Sequence, residues 1–155
     1  MTKELIILIG NIGAGKTTIC EDYFEKGYLI VSKDDIRYSL GAGNYLFDEK
    51  AEVAIELGTN TLFETLCLLG FNIVIDETNM SKKDREHYIE VGQAHKYNIT
   101  AMILPILSKK ESVRRRLQAN HGNTPKSVWE EVWKRKNKKY EEPSTKESFD
   151  KIIKL

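Results

Sequence analysis

The sequence has few residues that could cross-link a fold or hold a structural metal. Its 155 residues include two cysteines and three histidines. Cys20 and Cys67 stand alone, without the Cys-x-x-Cys spacing of zinc or redox sites, and the histidines are scattered along the chain. A structural metal is therefore not expected. We predict that both cysteines are reduced thiols in the core of a cytoplasmic protein.

A long hydrophobic run is also missing. No apolar stretch approaches the roughly 20 residues that span a bilayer, and no signal-peptide pattern opens the sequence. There is no internal repeat, low-complexity segment or linker, and a length of 155 residues suits one domain with an ordinary core. The expectation is a single domain over residues 1–155 with no membrane contact.

The net charge is small, but the charges are unevenly distributed. The sum is +1, although residues 1–108 contain 10 Lys and Arg against 16 Asp and Glu. Residues 109–155 contain 14 Lys and Arg against 7 Asp and Glu. The basic C-terminal third is therefore expected to face an anion, either nucleotide phosphates or a nucleic acid.

Apolar runs separated by helical patterns indicate the fold class. Strands are predicted at residues 5–9, 28–31, 71–75, 99–107 and 149–153. One helix is predicted over residues 48–69, and another from Thr124 with Pro125 in its first turn. This alternation predicts an α/β fold with a central parallel sheet of about five strands, flanked by helices.

Three further helix starts have a serine followed three residues later by an acid. This Ser-x-x-acid spacing is the capping-box pattern, in which two side chains bind two free backbone N–H groups reciprocally. The pairs are Ser32–Asp35, Ser81–Asp84 and Ser108–Glu111.

Residues 10–17, GNIGAGKT, match the phosphate-binding pattern G-x-x-x-x-G-K-[ST]. They follow a predicted strand and precede a predicted helix, so backbone N–H groups and the helix N-terminus can point at phosphate oxygens. Lys16 can reach the β- and γ-phosphates, and the Thr17 hydroxyl can bind Mg²⁺. We therefore expect ATP and Mg²⁺ as cofactors, with GTP as an open alternative. The expected nucleotide-binding residues are Gly10, Asn11, Ile12, Gly13, Ala14, Gly15, Lys16, Thr17 and Thr18.

The segment KDDIR, residues 33–37, follows the second predicted strand. Ligands of open parallel sheets bind beyond the carboxyl ends of the strands, so this segment is expected near the phosphate-binding loop. A carboxylate there could take a proton from an acceptor hydroxyl, while Arg37 neutralises an acceptor phosphate. The capping box already explains Asp35, so Asp34 is the better candidate for the base.

The third predicted strand is followed by DETN, residues 76–79. Acids at this edge reach the Mg²⁺ shell or hold catalytic groups, as a Walker-B acid does. Asp76 and Glu77 are both candidates, with Asn79 beside them. Their alternative role is to cap the turn before Ser81.

Taken together, the P-loop, D-D-x-R and D-x-T-N segments make the chain resemble the kinase domain of the 5′-polynucleotide kinases of bacteriophage and eukaryotic end-healing enzymes. The resemblance implies a P-loop NTPase fold with a small helical lid, here at about residues 109–124. It also implies that Asp34 is the general base for the 5′-hydroxyl and that Arg37 contacts the 3′-phosphate of the acceptor. The acid before Thr-Asn maps onto Glu77, or onto Asp76 as in looser relatives.

The lid departs from the family pattern. Three arginines are clustered at residues 114–116, and Asn120 and His121 stand where a second lid arginine is expected. Arg116 is the first lid candidate and Arg115 the second, although both could instead belong to a solvated helix face. Trp129 and Trp133 are expected to pack on the sheet, and the alternative is that one stacks on a base.

The expected function is phosphoryl transfer from ATP to a hydroxyl group, with the 5′-hydroxyl of DNA or RNA as the preferred acceptor. One alternative is a kinase for a small nucleoside, nucleotide, sugar or modified-base hydroxyl. An alternative from another class is a nucleotide-binding switch without an external acceptor. The oligomeric state is left open.

Overall fold

A computed structural model describes residues 2–119 and 121–155. Within them, five strands form one sheet: β1 (Glu4–Ile9), β2 (Leu29–Val31), β3 (Ile73–Ile75), β4 (Asn98–Ile103) and β5 (Lys151–Lys154). The helices are α1 (Lys16–Glu25), α2 (Lys33–Leu40), α3 (Glu49–Leu69), α4 (Lys82–Ala94), α5 (Lys109–Gln118) and α6 (Lys126–Lys138), with a 3₁₀ turn at Thr145–Glu147. Every strand pair is parallel, and the spatial order is β2-β3-β1-β4-β5. The predicted fold class is confirmed.

The side chains of β1 alternate between two apolar layers. Leu5, Ile7 and Ile9 pack with residues of α3 and α4, whereas Ile6 and Leu8 pack on the opposite face with residues of α1. A strand buried on both faces is typical of a parallel sheet covered by helices on each side. Cys67 lies in the first layer and Cys20 in the second, and both are buried free thiols, as predicted.

Two element boundaries were predicted wrongly because of proline. Strand β4 ends at Ile103, not at residue 107. The backbone N–H of Leu104 still donates to Ile9, but Pro105 has no N–H to continue the ladder. Helix α6 begins at Lys126, and Pro125 takes the extended N-cap position instead of a place in the first turn. The last strand also lies slightly later than predicted, because Phe149 is buried in the core before β5 begins.

The three predicted capping boxes differ in the structure. Ser81 and Asp84 form both reciprocal hydrogen bonds at the start of α4. At the starts of α2 and α5, the serine hydroxyl accepts from the N–H three residues later, but the reciprocal bond is not formed.

None of the helices in the described part of the chain combines the length and the apolar composition that a membrane span needs.

Candidate active site

The strand order brings three polar segments to one edge of the sheet. Because β3 lies between β1 and β2, the segment after β3 separates the loop after β1 from the start of α2. Backbone hydrogen bonds join them: Gly10 N donates to Thr78 O over 3.0 Å, and Asp76 N donates to Val31 O over 2.9 Å. The P-loop, the KDDIR segment and the DETN segment are therefore neighbours, as their positions after strands predict.

The P-loop has the backbone shape that phosphate binding requires. Gly13 and Gly15 have φ angles of 66° and 102°, in the region that favours glycine. A Cβ at Gly13 would lie 2.3 Å from the backbone oxygen of Ser112 in α5. Helix α5 therefore lies directly against the loop, and only glycine fits at this position.

Lys16 points into the loop. Its Nζ donates to the backbone oxygens of Gly10 over 2.8 Å and Asn11 over 2.9 Å. Burial lowers the pKa of the Lys16 ammonium, and the nearby carboxylates of Asp76 and Glu77 oppose that shift. A half-buried cation that donates to two carbonyl oxygens, inside a glycine-shaped turn, suits an anionic ligand such as the phosphates of ATP.

The remaining loop residues complete this arrangement. The Asn11 side chain accepts from Ile12 N and donates to the Trp133 carbonyl, which fixes the loop against α6. Ala14 packs with the apolar layer that contains Cys20, while Thr17 and Thr18 are exposed on the first turn of α1. Thr17 is thus free to meet a ligand at the helix N-terminus.

Asp34 and Arg37 form an ion pair within α2. The Asp34 carboxylate accepts from Arg37 Nη1 over 2.6 Å and stays 39% exposed. Glu52 of α3 binds the same guanidinium through two hydrogen bonds of 2.8 and 2.7 Å. The hydrogen bond from Arg37 also holds the pKa of the Glu52 carboxyl below its usual range. We name Asp34, Arg37 and Glu52 the open cluster.

Arg116 reaches the open cluster from α5. Its Nη2 lies 3.5 Å from Asp34 Oδ2, and its side chain is 14% exposed. The guanidinium carbon lies 4.4 Å from the ring centroid of Trp129 and 5.5 Å from that of Tyr45. Cation–π contacts of this kind hold an arginine in place on an aromatic surface.

Arg115 has different surroundings. Its Nε donates to the Glu111 carboxylate over 2.8 Å, and its side chain is 43% exposed. Glu111 also binds Arg114, and these two arginines hold its pKa down at about 2. Of the two lid candidates, the structure brings Arg116 to Asp34 and leaves Arg115 on the surface of α5.

Asn120 and His121 stand where the resemblance places a second lid arginine. Asn120 lies outside the described residues, and the His121 ring packs edge-on against Trp129.

Asp76 lies near Lys16, and Asp35 lies near Asp76 and Asp34. Burial raises the pKa of Asp76, and the charge of Lys16 partly opposes this effect. Burial together with the nearby Asp76 carboxylate raises the pKa of the Cys20 thiol to about 12. Burial and the neighbouring Asp34 raise the pKa of Asp35. Because Asp35 does not complete its capping box, capping does not fully explain this residue.

Glu77 and Asn79 contact the backbone. Glu77 Oε1 accepts from Lys33 N, the first N–H of α2, over 2.5 Å, and burial raises the pKa of this carboxyl to about 7. The Asn79 amide donates to Leu8 O over 2.8 Å and is 2% exposed. Glu77 therefore fixes the start of α2, one residue before Asp34, and Asn79 fixes the turn after β3 to β1. Neither contact places these side chains in an acceptor site.

Sequence reasoning missed Glu52 and assigned Trp129 a different environment. Glu52 lies on α3, which the sequence reveals only as a helix, and no motif connects it to Arg37 across 15 positions. Trp129 was expected on the sheet, but it packs against Arg116, His121 and Tyr45, the last of which lies between α2 and α3. Trp133, one turn later on α6, lines a cavity of about 20 Å³ together with Gly10 and the end of β4.

Several solved structures share this fold. A chain of the Pnkp1/Rnl/Hen1 RNA repair complex superposes with a TM-score of 0.70 at 24% identity, over 96% of this chain and 47% of that chain. A gluconokinase from Sinorhizobium meliloti gives a TM-score of 0.58 at 14% identity, over 98% and 81% of the two chains. The Mycobacterium tuberculosis APS kinase CysC, in complex with AMPPNP and APS, gives 0.60 at 14% identity, over 99% and 88%.

These likenesses, all below 25% identity, establish the fold. The chain spans less than half of the length of the Pnkp1/Rnl/Hen1 chains that it matches, 41% and 47% in two structures. No curated protein sequence matches it. A family model described as an AAA domain, however, matches residues 5–143. The chain therefore belongs to the AAA domain family, and its architecture is that of the P-loop NTPases.

Proposed function

We propose that the chain is an ATP-dependent kinase that phosphorylates a hydroxyl group, and that its acceptor is the 5′-hydroxyl of DNA or RNA. The observation that carries this proposal is the position of Asp34. Its partly exposed carboxylate lies between two arginines at the sheet edge that also carries the P-loop. A nucleotide switch without an acceptor has no need of such a carboxylate.

The nucleotide side of the site follows from the P-loop. MgATP supplies the phosphoryl group for transfer when it is bound. The N–H groups of the loop would bind its phosphates, and Lys16 would exchange its two carbonyl partners for phosphate oxygens. The Thr17 hydroxyl would bind Mg²⁺, and Asp76, which faces Lys16, is the better of the two acids for the shell of this ion.

On the acceptor side, Asp34 would accept the proton of the attacking hydroxyl. Arg37 holds one oxygen of this carboxylate, and Arg116 lies beside the other. Fixed in this way, Asp34 needs little rearrangement to meet the hydroxyl. Arg116 would also neutralise charge on the transferring phosphoryl group, since a lid arginine is worth several orders of magnitude in such reactions.

Two observations favour a nucleic-acid end as acceptor. The Pnkp1 neighbour belongs to an RNA repair complex, and the three motif segments resemble the 5′-polynucleotide kinases. Helix α6, which packs on α5, also carries four basic residues in its last part and a fifth at its C-cap, although helical charge runs are commonly solvated. These residues are Lys134, Arg135, Lys136, Lys138 and Lys139.

A second candidate is a small hydroxylated acceptor, and the pairing of Arg37 favours it. Three of the five N–H groups of this guanidinium already bind Glu52 and Asp34. An acceptor phosphate would have to use the other two or displace Glu52, whereas an acceptor without a phosphate would leave the cluster unchanged. Gluconokinase and APS kinase share the fold with this chain.

Transfer from γ-labelled ATP with Mg²⁺ tests these proposals. The acceptors are 5′-hydroxyl DNA and RNA oligonucleotides, 3′-nucleoside monophosphates, nucleosides and sugars, and Asp34→Asn is the control. Label on the oligonucleotide 5′ end that disappears in the variant and falls steeply with salt supports the polynucleotide acceptor. Label on a small acceptor alone, insensitive to salt, supports the second candidate. Unchanged ATP turnover in Asp34→Asn, without label on any acceptor, would favour the switch.

A further inference from the structure

Helix α3 is apolar on both sides. One side packs into the core through Ile55, Phe63 and Cys67. On the other side, Leu57 is 63% exposed and Leu68 73% exposed. A helix that is hydrophobic all round is typical of a buried helix, so a solvent-facing side of this composition needs a partner. The α3 face consists of Val53, Ala54, Leu57, Gly58, Thr61, Leu62, Thr65, Leu68 and Leu69, all exposed.

Polar groups are nearly excluded from the α3 face. The two threonine hydroxyls are satisfied within the helix, because Thr61 donates to Leu57 O over 2.9 Å and Thr65 donates to Thr61 O over 2.8 Å. The only charged residues between Val53 and Leu69 are Glu56 and Glu64. Both flank the face, since Glu56 lies 3.6 Å from Lys33 and Glu64 lies 3.3 Å from His87 of α4.

We propose that the α3 face is the contact between two copies of this chain, packed antiparallel about a two-fold axis near Thr61. Thr61 is the midpoint between Val53 and Leu69, and in an isologous contact each residue meets the one equally far beyond the axis. Ala54 then faces Leu68 of the partner subunit, and Leu57 faces Thr65 of the partner subunit. In these two pairs, and in that of Val53 with Leu69 of the partner subunit, a smaller residue meets a leucine, so these positions are complementary to one another.

The size of the face also fits a second copy. Five large apolar side chains of the face and the adjacent Phe71 are each 43–73% exposed. An exposed patch of this extent is on the order of the 800 Å² that each partner buries in a standard stable interface. The helix, at 21 residues, is about 31 Å long, enough to carry such a contact by itself. This proposal does not depend on the catalytic one.

Light scattering after size exclusion tests the interface in the full chain. The expected mass is twice the 17.8 kDa of one chain. Leu57→Glu should reduce it to one chain, whereas Phe24→Glu, which places the same charge on an equally exposed residue of α1, should leave the dimer intact. Adding Thr65→Lys to Leu57→Glu should restore the dimer, because the two-fold axis brings these positions together. Circular dichroism checks that each variant is folded.

A cysteine cross-link tests the position of the axis. Thr61→Cys should form a disulfide-linked dimer under mild oxidant, because the axis brings the two copies of residue 61 together. Glu90→Cys, exposed on α4, should not, and the natural Cys20 and Cys67 are buried. A monomeric wild-type chain, a dimer that Leu57→Glu does not affect, or a monomer that binds phosphatidylcholine vesicles through this face would overturn the proposal.

Discussion

Two arginine–glutamate pairs in this molecule have the same bidentate geometry but opposite surroundings. Arg85 of α4 is 0% exposed, and Glu147 binds it through hydrogen bonds of 2.9 and 3.0 Å. Its other three hydrogen bonds go to the backbone oxygens of Asn79, Met80 and Glu141, so all five N–H groups are used. Arg37 uses three of its five, and its partner Asp34 remains partly exposed.

The two clusters differ in how many hydrogen-bonding groups remain available to a ligand. A closed cluster such as Arg85–Glu147 has no unused hydrogen-bonding capacity, and here it fastens the 3₁₀ turn and the segment after β3 to α4. The open cluster retains unused donors and an accessible carboxylate beside the P-loop. The same ion pair thus serves the fold in one place and is suited to a substrate in the other.

The largest expected effect is at Arg116, and it distinguishes this residue from Arg115, the second lid candidate. Arg116→Ala should lower phosphoryl transfer about 10³-fold, because the guanidinium beside Asp34 is lost. Arg115→Ala should cost less than about tenfold, since this exposed side chain pairs with Glu111. Steady-state rates of labelled transfer measure both, and Arg116→Lys shows how much of the effect needs the planar fork. A larger loss in Arg115→Ala would transfer the lid role to that residue.

Breaking the closed cluster should affect stability. Arg85→Met removes the five guanidinium N–H donors that bind the Glu147 carboxylate and three backbone oxygens, so the free energy of unfolding should fall by about 3–5 kcal/mol. Arg114→Met, which removes a surface pair with Glu111, should change it by less than about 1 kcal/mol. Urea unfolding at pH 7 measures both variants. Equal values would show that the Arg85 cluster is not the closed, fold-stabilising unit described above.

Sequence motifs predicted the parts of the site that consecutive residues build. The P-loop and the Asp34–Arg37 pair, three positions apart on α2, are of this kind, and their positions after parallel strands predicted their proximity. Glu52 and Trp129 could not be found in the same way, because they reach the open cluster only through the packing of α3 and α6. The sequence spacing also left open the roles of Asp76 and Glu77. Only the structure shows that Glu77 binds the first N–H of α2 and fixes the start of this helix.

A smaller effect is expected from Glu77, which fixes the start of α2 next to the open cluster. Burial raises the folded-state pKa of Glu77 from its ordinary 4.5 to about 7, so the folded chain binds this proton more tightly than the unfolded chain. The contribution of Glu77 to stability is therefore fully present below pH 4.5 and is lost as the pH rises through 7. Glu77→Gln removes this dependence. The free energy of unfolding of the variant minus that of the wild type should therefore be about 1–3 kcal/mol larger at pH 8 than at pH 5.

Urea unfolding between pH 4 and pH 8 measures that dependence as the difference between wild type and Glu77→Gln. The exposed Glu90→Gln on α4 is the matched control, and its difference from wild type should stay constant with pH. A difference for Glu77→Gln that is also constant would contradict the assigned burial of this carboxyl.

The smallest effect tests the link between α3 and the open cluster. Glu52→Gln keeps the shape of the side chain but weakens its hold on Arg37, so kcat/KM for the acceptor should fall about tenfold. Glu56→Gln, one turn later on the same helix, removes a 64% exposed carboxylate near Lys33 and should leave kcat/KM within about twofold. If both variants behave alike, Glu52 does not orient Arg37 for catalysis.

The central claim is that Asp34 takes the proton of the acceptor, and a matched pair of variants tests it most directly. Asp34→Asn and Asp35→Asn are compared in transfer from γ-labelled ATP to the acceptor found in the panel, with ATP affinity measured in parallel. We expect that Asp34→Asn lowers kcat by about 10²–10⁴-fold with ATP affinity unchanged, and that Asp35→Asn has a much smaller effect. An Asp34→Asn variant that transfers phosphate at the wild-type rate would contradict the claim.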